Sequence, residues 1–216
     1  MVPYDRSKRT DTDLNLPAIW CWPVKHFKIL ITGSHGAGKT TLIRALSDSA
    51  PVTTEAADGA DASGKTRTTI GLDYGEVGLG GGRHVHLYGT PGYLRFKFMR
   101  TILAVGAQGA IVLVDGRSTQ PEAELESVLD SVDDLAANSA VAIGVTHTES
   151  VSHAPMARLA TLLCARSLHV PMLAIDARRR EHAALLLGVL LHTIDMARDN
   201  DAPARIDRPR DSRLFA

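Results

Sequence analysis

Residues Lys28 to Thr41 read Lys-Ile-Leu-Ile-Thr-Gly-Ser-His-Gly-Ala-Gly-Lys-Thr-Thr. Ile29 to Thr32 form a short uncharged, mostly aliphatic run, the pattern of a buried strand that ends at Gly33. A helix is expected from about Lys39, with Leu42, Ile43 and Leu46 at helical spacing. Between strand and helix, Gly33-Ser34-His35-Gly36-Ala37-Gly38-Lys39-Thr40 fits G-x-x-x-x-G-K-[ST] in the setting that gives this pattern meaning. Its glycines let the backbone curl until successive N–H groups converge on one phosphate, and the helix N-terminus adds its positive dipole end. Lys39 is a compact charge for the outer phosphates, the Thr40 hydroxyl is placed to ligate Mg²⁺, and the cradle runs on to Thr41. An ordinary turn does not explain lysine and threonine after three glycines, and chance supplies such a match in roughly one chain of this length in a hundred.

The sequence shows no internal repeat, but strand and helix patterns alternate along the rest of the chain. Residues 69–79 and 83–88 predict two strands joined at Gly80-Gly81-Gly82, a hairpin. Ala110 to Asp115 is a continuous apolar run, as in a central strand covered on both faces. Pro121, Glu122 and Glu124 then suit a helix start, with Leu125, Val128, Leu129, Val132 and Leu135 on one stripe. A strand at 141–145, a helix at about 155–167, a strand at 171–175 and a helix at about 180–199 follow. Strands alternating with helices predict an α/β three-layer sandwich, a mostly parallel sheet with one antiparallel strand from the hairpin. Residues 51–67 are poor in bulky apolar side chains and are expected to form a loop.

Length favours one domain, placed at 25–199, with an extension at 1–24 that carries both tryptophans, Trp20 and Trp22, and a polar tail at 200–216. Two large rings so close together are expected to pack as a strap on the domain or on a partner. Lysine and arginine total 24, as do aspartate and glutamate, so no positive field is left to hold a nucleic acid. Two distant cysteines, Cys21 and Cys164, suggest neither a disulfide framework nor zinc, and a cytoplasmic location is expected. The longest apolar stretch, Ala183 to Leu191, is too short to span a bilayer, and Val2 is not the glycine that myristoylation requires. No membrane anchor is expected.

Three further segments resemble Ras-like small GTPases. Thr69-Ile70-Gly71-Leu72-Asp73-Tyr74 resembles the Thr-Ile-Gly-x-Asp-Phe segment of Rab-like switch I, which implies that Thr69 closes over Mg²⁺ and the γ-phosphate. Thr66 and Thr68 compete for that role. Gly89-Thr90-Pro91-Gly92 resembles switch II, which implies that the Gly92 N–H meets the γ-phosphate. Asp176-Ala177-Arg178 resembles the Ser-Ala-Lys loop, which implies that the Ala177 N–H reads the guanine carbonyl. The resemblance covers residues 25 to about 198 and is nearest to bacterial Ras-like proteins of actinomycete conservon operons, whose segments are similar to 89–92 and 176–181. It implies GTP and GDP as ligands with Mg²⁺, a roadblock/LC7-type regulator, and a histidine-kinase-like sensor as a second partner.

Several positions depart from the family. Gly89 stands where Ras has the aspartate that holds Mg²⁺ through water, which leaves Asp73 and Asp115 as alternative acids. Tyr93 replaces the glutamine that orients the attacking water, so slow hydrolysis is expected. His35 occupies a position in the cradle where Ras has glycine, either orienting water, blocking an incoming arginine finger, or simply facing solvent. Asn-Lys-x-Asp is replaced by Thr146-His147-Thr148-Glu149, where Glu149 is expected to accept the paired guanine donors and His147 to lie along the base. His84 and His86 share a strand face but lack a third metal ligand nearby. Arg178-Arg179-Arg180 serves the base loop, a phosphate or a partner, or is simply a solvated helix start. The expected function is a slow GTP-hydrolysing switch, with a nucleotide-holding pseudo-GTPase or a P-loop ATPase or kinase as alternatives.

Overall fold

The computed structural model describes residues 26–56, 68–92, 97–130, 140–148 and 154–201. In chain order the strands are β1 (His26–Gly33), β2 (Val52–Ala56), β3 (Thr68–Gly80), β4 (Arg83–Gly89), β5 (Gly109–Asp115), β6 (Ala140–Thr146) and β7 (Met172–Ala174). The helices are α1 (Lys39–Leu46), α2 (Lys97–Ala104), α3 (Pro121–Asp130), α4 (Ala154–Ala165) and α5 (Arg180–Asp201). One sheet results, in the order β2-β3-β4-β1-β5-β6-β7. Only β3 runs against the rest, antiparallel to both β2 and β4, while the pairs from β4 through β1, β5 and β6 to β7 are parallel.

Residue parity on each strand decides which layer a side chain joins. Phe27, Ile29 and Ile31 of β1 and Ile111 and Leu113 of β5 face Leu42, Ile43 and Leu46 of α1 and Leu186, Leu187, Leu190 and Leu191 of α5. Val112 and Val114 of β5, with Val141, Ile143 and Val145 of β6, point the other way, onto Leu125 and Val128 of α3 and Leu159 and Leu163 of α4. Leu30 and Ala110 pack there too, against Leu103 and Ala104 of α2. Each central strand is therefore covered on both faces, which is why β5 and β6 read as unbroken apolar runs.

Two elements differ from the sequence expectation. Val52 to Ala56 lies in the segment expected to be a loop, yet pairs with β3 from Val52↔Tyr74 to Ala56↔Thr68. Val52, Thr53 and Thr54 have the β-branched side chains of strands, and an edge strand with Val52 66% exposed needs little apolar burial, so the scarcity of bulky residues was a poor guide. Helix α2 was not foreseen, because its apolar positions follow the switch-like segment without a start signal. The remainder of the expected loop, 57–67, the end of the stripe at Val132 and Leu135, and both terminal segments lie outside the described residues.

Arg180, foreseen only as one of three arginines, joins α5 to α1. Its guanidinium donates to the carbonyls of Ala45 (3.2 Å) and Leu46 (2.9 Å) and to Asp48 Oδ1 (2.8 Å), satisfying the end of α1. Asp48 Oδ2 in turn accepts the Gly78 N–H at 2.6 Å, so β3, α1 and α5 share one polar junction. Arg180→Ala should cost about 1–3 kcal/mol, the scale of hydrogen bonds to a charged group. In thermal unfolding this is a fall of several degrees; an unchanged midpoint would show that water replaces the arginine without loss.

Candidate functional site

The ends of β1, β4, β5 and β6, with the loop after β7, meet at the N-terminus of α1, the place where an open α/β sheet holds ligands. The cradle turns through left-handed backbone at Gly36 (φ 80°) and Gly38 (φ 95°), the conformation that a curl of main-chain N–H groups requires and glycine supplies. Gly38 is also the residue preceding α1, and no acidic side chain occupies the helix's first turn. Lys39 is 8% exposed, and its Nζ donates to the carbonyls of Gly33 (3.0 Å) and Ser34 (2.6 Å). Its charge thus sits inside the curl, at the positive end of the helix. His35 and Gly36 are exposed at the mouth, and Ala37 is buried beneath it.

Gly92 reaches this curl from the loop after β4. A Cβ on Gly92 would fall 2.7 Å from His35 Cα, 2.9 Å from His35 N and 2.9 Å from Lys39 Nζ. Only glycine allows so close an approach of the loop to the cradle. Behind it, Thr90 N–H donates to the Ile31 carbonyl at 2.9 Å, and the hydroxyls of Thr90 and Thr32, both buried, lie 3.1 Å apart. This Thr32–Thr90 bond was not foreseen; two threonines at the ends of adjacent parallel strands were the only signal.

Thr40 projects to the other side of the cradle, where its Oγ1 donates to Asp73 Oδ2 at 2.5 Å. Asp73 is 2% exposed and lies on β3. Asp115, the other acid left open, points elsewhere: Arg117 donates to it from its backbone (3.0 Å), Nε (3.1 Å) and Nη2 (2.9 Å), and His147 Nδ1 lies 3.1 Å away. Burial pushes the Asp115 carboxyl up, but the Arg117 hydrogen bonds and the nearby His147 outweigh it and hold it below its ordinary value. Thr69 is on β3, four residues before Asp73, paired with Glu55 of β2.

The altered base segment is tied to the cradle by its first residue. Thr146, 1% exposed, donates from Oγ1 to the Ala37 carbonyl (3.1 Å) and lies 3.2 Å from the Val114 carbonyl. His147 adopts φ 55°, and its Nδ1 is 3.1 Å from Thr146 Oγ1. From the loop after β7, Ala177 brings its Cβ to 3.3 Å of the place a Gly38 Cβ would occupy. The structure therefore brings Thr146 and Ala177 against the cradle, with His147, Asp176 and Arg178 as their chain neighbours, while Glu149 and Tyr93 lie outside the described residues.

The histidine pair and the arginines have structural partners. His84 Nδ1 is 2.7 Å from Glu76, and His86 is 2.7 Å from the Tyr74 hydroxyl and 3.2 Å from His26. Among the described residues no group of three His, Cys, Asp or Glu is placed to hold a metal ion, and no helix is long and apolar enough to cross a membrane. Arg178 grips Asp176 through Nε and Nη2, both at 2.9 Å, and Arg179 faces Glu181 at 3.7 Å.

The Arg178 hydrogen bonds lower the Asp176 carboxyl from 3.8 to about 2. A lowered folded value means that the folded chain binds fewer protons, so the stabilisation is present above pH 3.8 and is lost as pH falls through about 2. The gap in melting temperature between wild type and Asp176→Asn should close over that interval. It is small, because water screens the pair; a gap constant across the interval would contradict the assignment.

Comparison with known proteins agrees with this architecture. A curated relative, an uncharacterized protein of Methanocaldococcus jannaschii, is 31% identical over 109 residues, 48% of this chain and 62% of its own length. Translation elongation factor SelB from Methanococcus maripaludis, solved in complex with the GTP analogue GppNHp, superposes with a TM-score of 0.58 at 17% identity. That match covers 79% of this chain and 34% of the SelB chain, and at such identity it speaks for the fold. The chain thus spans less than two thirds of either protein. Residues 28–146, more than half of the chain and the stretch from β1 through the cradle to Thr146, match the family described as 50S ribosome-binding GTPase, and the chain belongs to that P-loop GTPase family.

Proposed function

We propose that the chain binds GTP and GDP with Mg²⁺ and acts as a slowly hydrolysing switch that governs a partner. The observation that carries this reading is the approach of Gly92 to the His35 backbone and Lys39 Nζ. A third phosphate bound by Lys39 lies beside that loop and gives its N–H a partner, and a diphosphate does not. Occupancy of one phosphate position is thereby converted into the position of a segment. Thr69 is the second γ-phosphate contact by resemblance.

The residues present fit Mg²⁺, a hard cation that takes oxygen ligands, because the Thr40 hydroxyl stands at the cradle's edge with a carboxylate at its back. Thr40 would hold it, with Thr69 closing over it by resemblance. The chemistry Mg²⁺ supplies there is neutralisation of charge on the outer phosphates. Lys39 would hold the same oxygens, and the cradle N–H groups would orient them. Tyr93 in place of glutamine removes the amide that orients water, and this supports slow turnover.

Guanine is the base this reading favours. Thr146 pins the base segment to Ala37, Ala177 lies against Gly38, and Glu149 offers a carboxylate to the two adjacent guanine donors. The regulators to test first are those the conservon resemblance implies, a roadblock/LC7-type protein and a histidine-kinase-like sensor.

Mass spectrometry of co-purifying nucleotide should find GDP or GTP, and labelled GTP should be displaced by GTP and not by equal ATP; equal competition would retire the guanine assignment. Lys39→Ala should weaken triphosphate binding by about a hundredfold or more, some 2.7 kcal/mol, and tight binding by that variant would sink the mechanism. Gly92→Ala should leave GDP affinity nearly unchanged but weaken GTP about tenfold, since its methyl displaces the loop from the cradle. Equal loss for both nucleotides would point to a general distortion. The altered water-orienting position also favours a second reading, a pseudo-GTPase. Single-turnover phosphate release at the uncatalysed rate, alone and with either partner, would select it.

A further inference from the structure

Gly89 and Asp73 are directly opposite each other in the antiparallel ladder between β4 and β3. A Cβ built on Gly89 would fall 2.9 Å from Asp73 Cβ, 3.4 Å from Asp73 Oδ2 and 2.6 Å from Ile43 Cδ1. The space in which a side chain of residue 89 would begin is thus already taken by the aspartate of the next strand. That aspartate is buried and receives the Thr40 hydroxyl proton at 2.5 Å. Asp115, the alternative acid, is engaged by Arg117 and His147 on the base side of the site.

We infer that Asp73 is the carboxylate that positions and charges the Mg²⁺ site, delivered from β3 across the ladder into the place that Gly89 leaves open. A hydroxyl that gives a lone pair to a cation needs an acceptor for its proton, and Asp73 Oδ2 is that acceptor. The bond fixes the rotamer of Thr40, keeps its lone pairs facing the phosphates, and sets a negative charge behind the cation. Placement on β3 has a second consequence. Asp73 lies on the same strand as Thr69, four residues away, so this carboxylate and the threonine that the resemblance assigns to the metal belong to one continuous segment. Movement of the β3 start is then coupled to the metal without passing through the loop at Gly92. Asp73 is a positioning residue in this scheme, acting through Thr40 and through its charge.

This inference rests on the Mg²⁺-nucleotide reading above, and the test separates the two. Release of a fluorescent GDP analogue is followed by stopped flow with Mg²⁺ and after chelation, and Mn²⁺ binding to the GDP complex is titrated by electron paramagnetic resonance. In the wild type, chelation should speed release at least about tenfold; Asp73→Asn should lose most of that acceleration and weaken Mn²⁺ by roughly 10–100-fold, the usual effect of removing an outer-shell partner. Asparagine keeps the shape, and circular dichroism reports whether the fold survives. A cross-strand exchange guards against a purely structural loss: Asp73→Gly combined with Gly89→Asp should recover Mn²⁺ binding relative to Asp73→Gly alone, because the two positions face each other. Unchanged metal dependence in Asp73→Asn, or no recovery in a folded exchange variant, overturns the inference and leaves nucleotide binding standing. A wild-type chain that holds GDP equally well with and without metal overturns the inference together with the Mg²⁺ part of that reading, and leaves nucleotide binding standing. Failure of the wild type to bind nucleotide at all overturns both.

Discussion

A lysine ammonium almost removed from water, at the positive end of a helix and wrapped by the carbonyls of the loop before it, is a costly thing to fold around. Lys39 is in that position, and the rest of the molecule is arranged to make it tolerable and useful. Gly36 and Gly38 adopt the left-handed backbone that curls the loop. Apolar packing of Leu42, Ile43 and Leu46 under the sheet anchors the helix that carries the lysine. An anion at the mouth meets the lysine, the loop N–H groups and the helix dipole together, and each would be weaker alone.

The surrounding loops are attached to this curl by main-chain or buried side-chain contacts. Thr146 hangs the base segment on Ala37, Ala177 rests against Gly38, and Gly92 touches His35 and Lys39. Such contacts explain how a site lacking the usual Asn-Lys-x-Asp segment retains its shape. One hydroxyl donated to a cradle carbonyl maintains the spacing between base loop and phosphate loop, whatever reads the base. Asp115 and Asp176 are likewise occupied in bracing their loops, each by an arginine two residues on.

Departures from the family pattern fall at the strand ends, at His35, Gly89, Tyr93 and the segment from Thr146 to Glu149. The buried sheet and its two helix layers keep the family architecture. Packing tolerates little variation in shape, and sites held on strand ends tolerate exchange of residues between neighbouring strands. The inferred role of Asp73 is of that kind: position 89 carries no side chain, and a carboxylate stands at the facing position on the next strand.

Much of this was legible in the amino-acid order because the signals are local. The cradle, β1, the β3–β4 hairpin and the alternation of later strands and helices follow from glycine placement and apolar periodicity over ten or so residues. Edge strand β2 was not, since its pairing partner rather than its own composition makes it a strand, and α2 had no start signal to announce it. The division is sharpest at the site. Residue order alone determined that Lys39 and Thr40 begin a helix at the end of a buried strand. Tertiary structure decided which of two acids reaches Thr40, that Arg180 closes α1, and that Thr146 holds Ala37, because strand register and loop docking join residues 33, 135 and 109 positions apart, respectively.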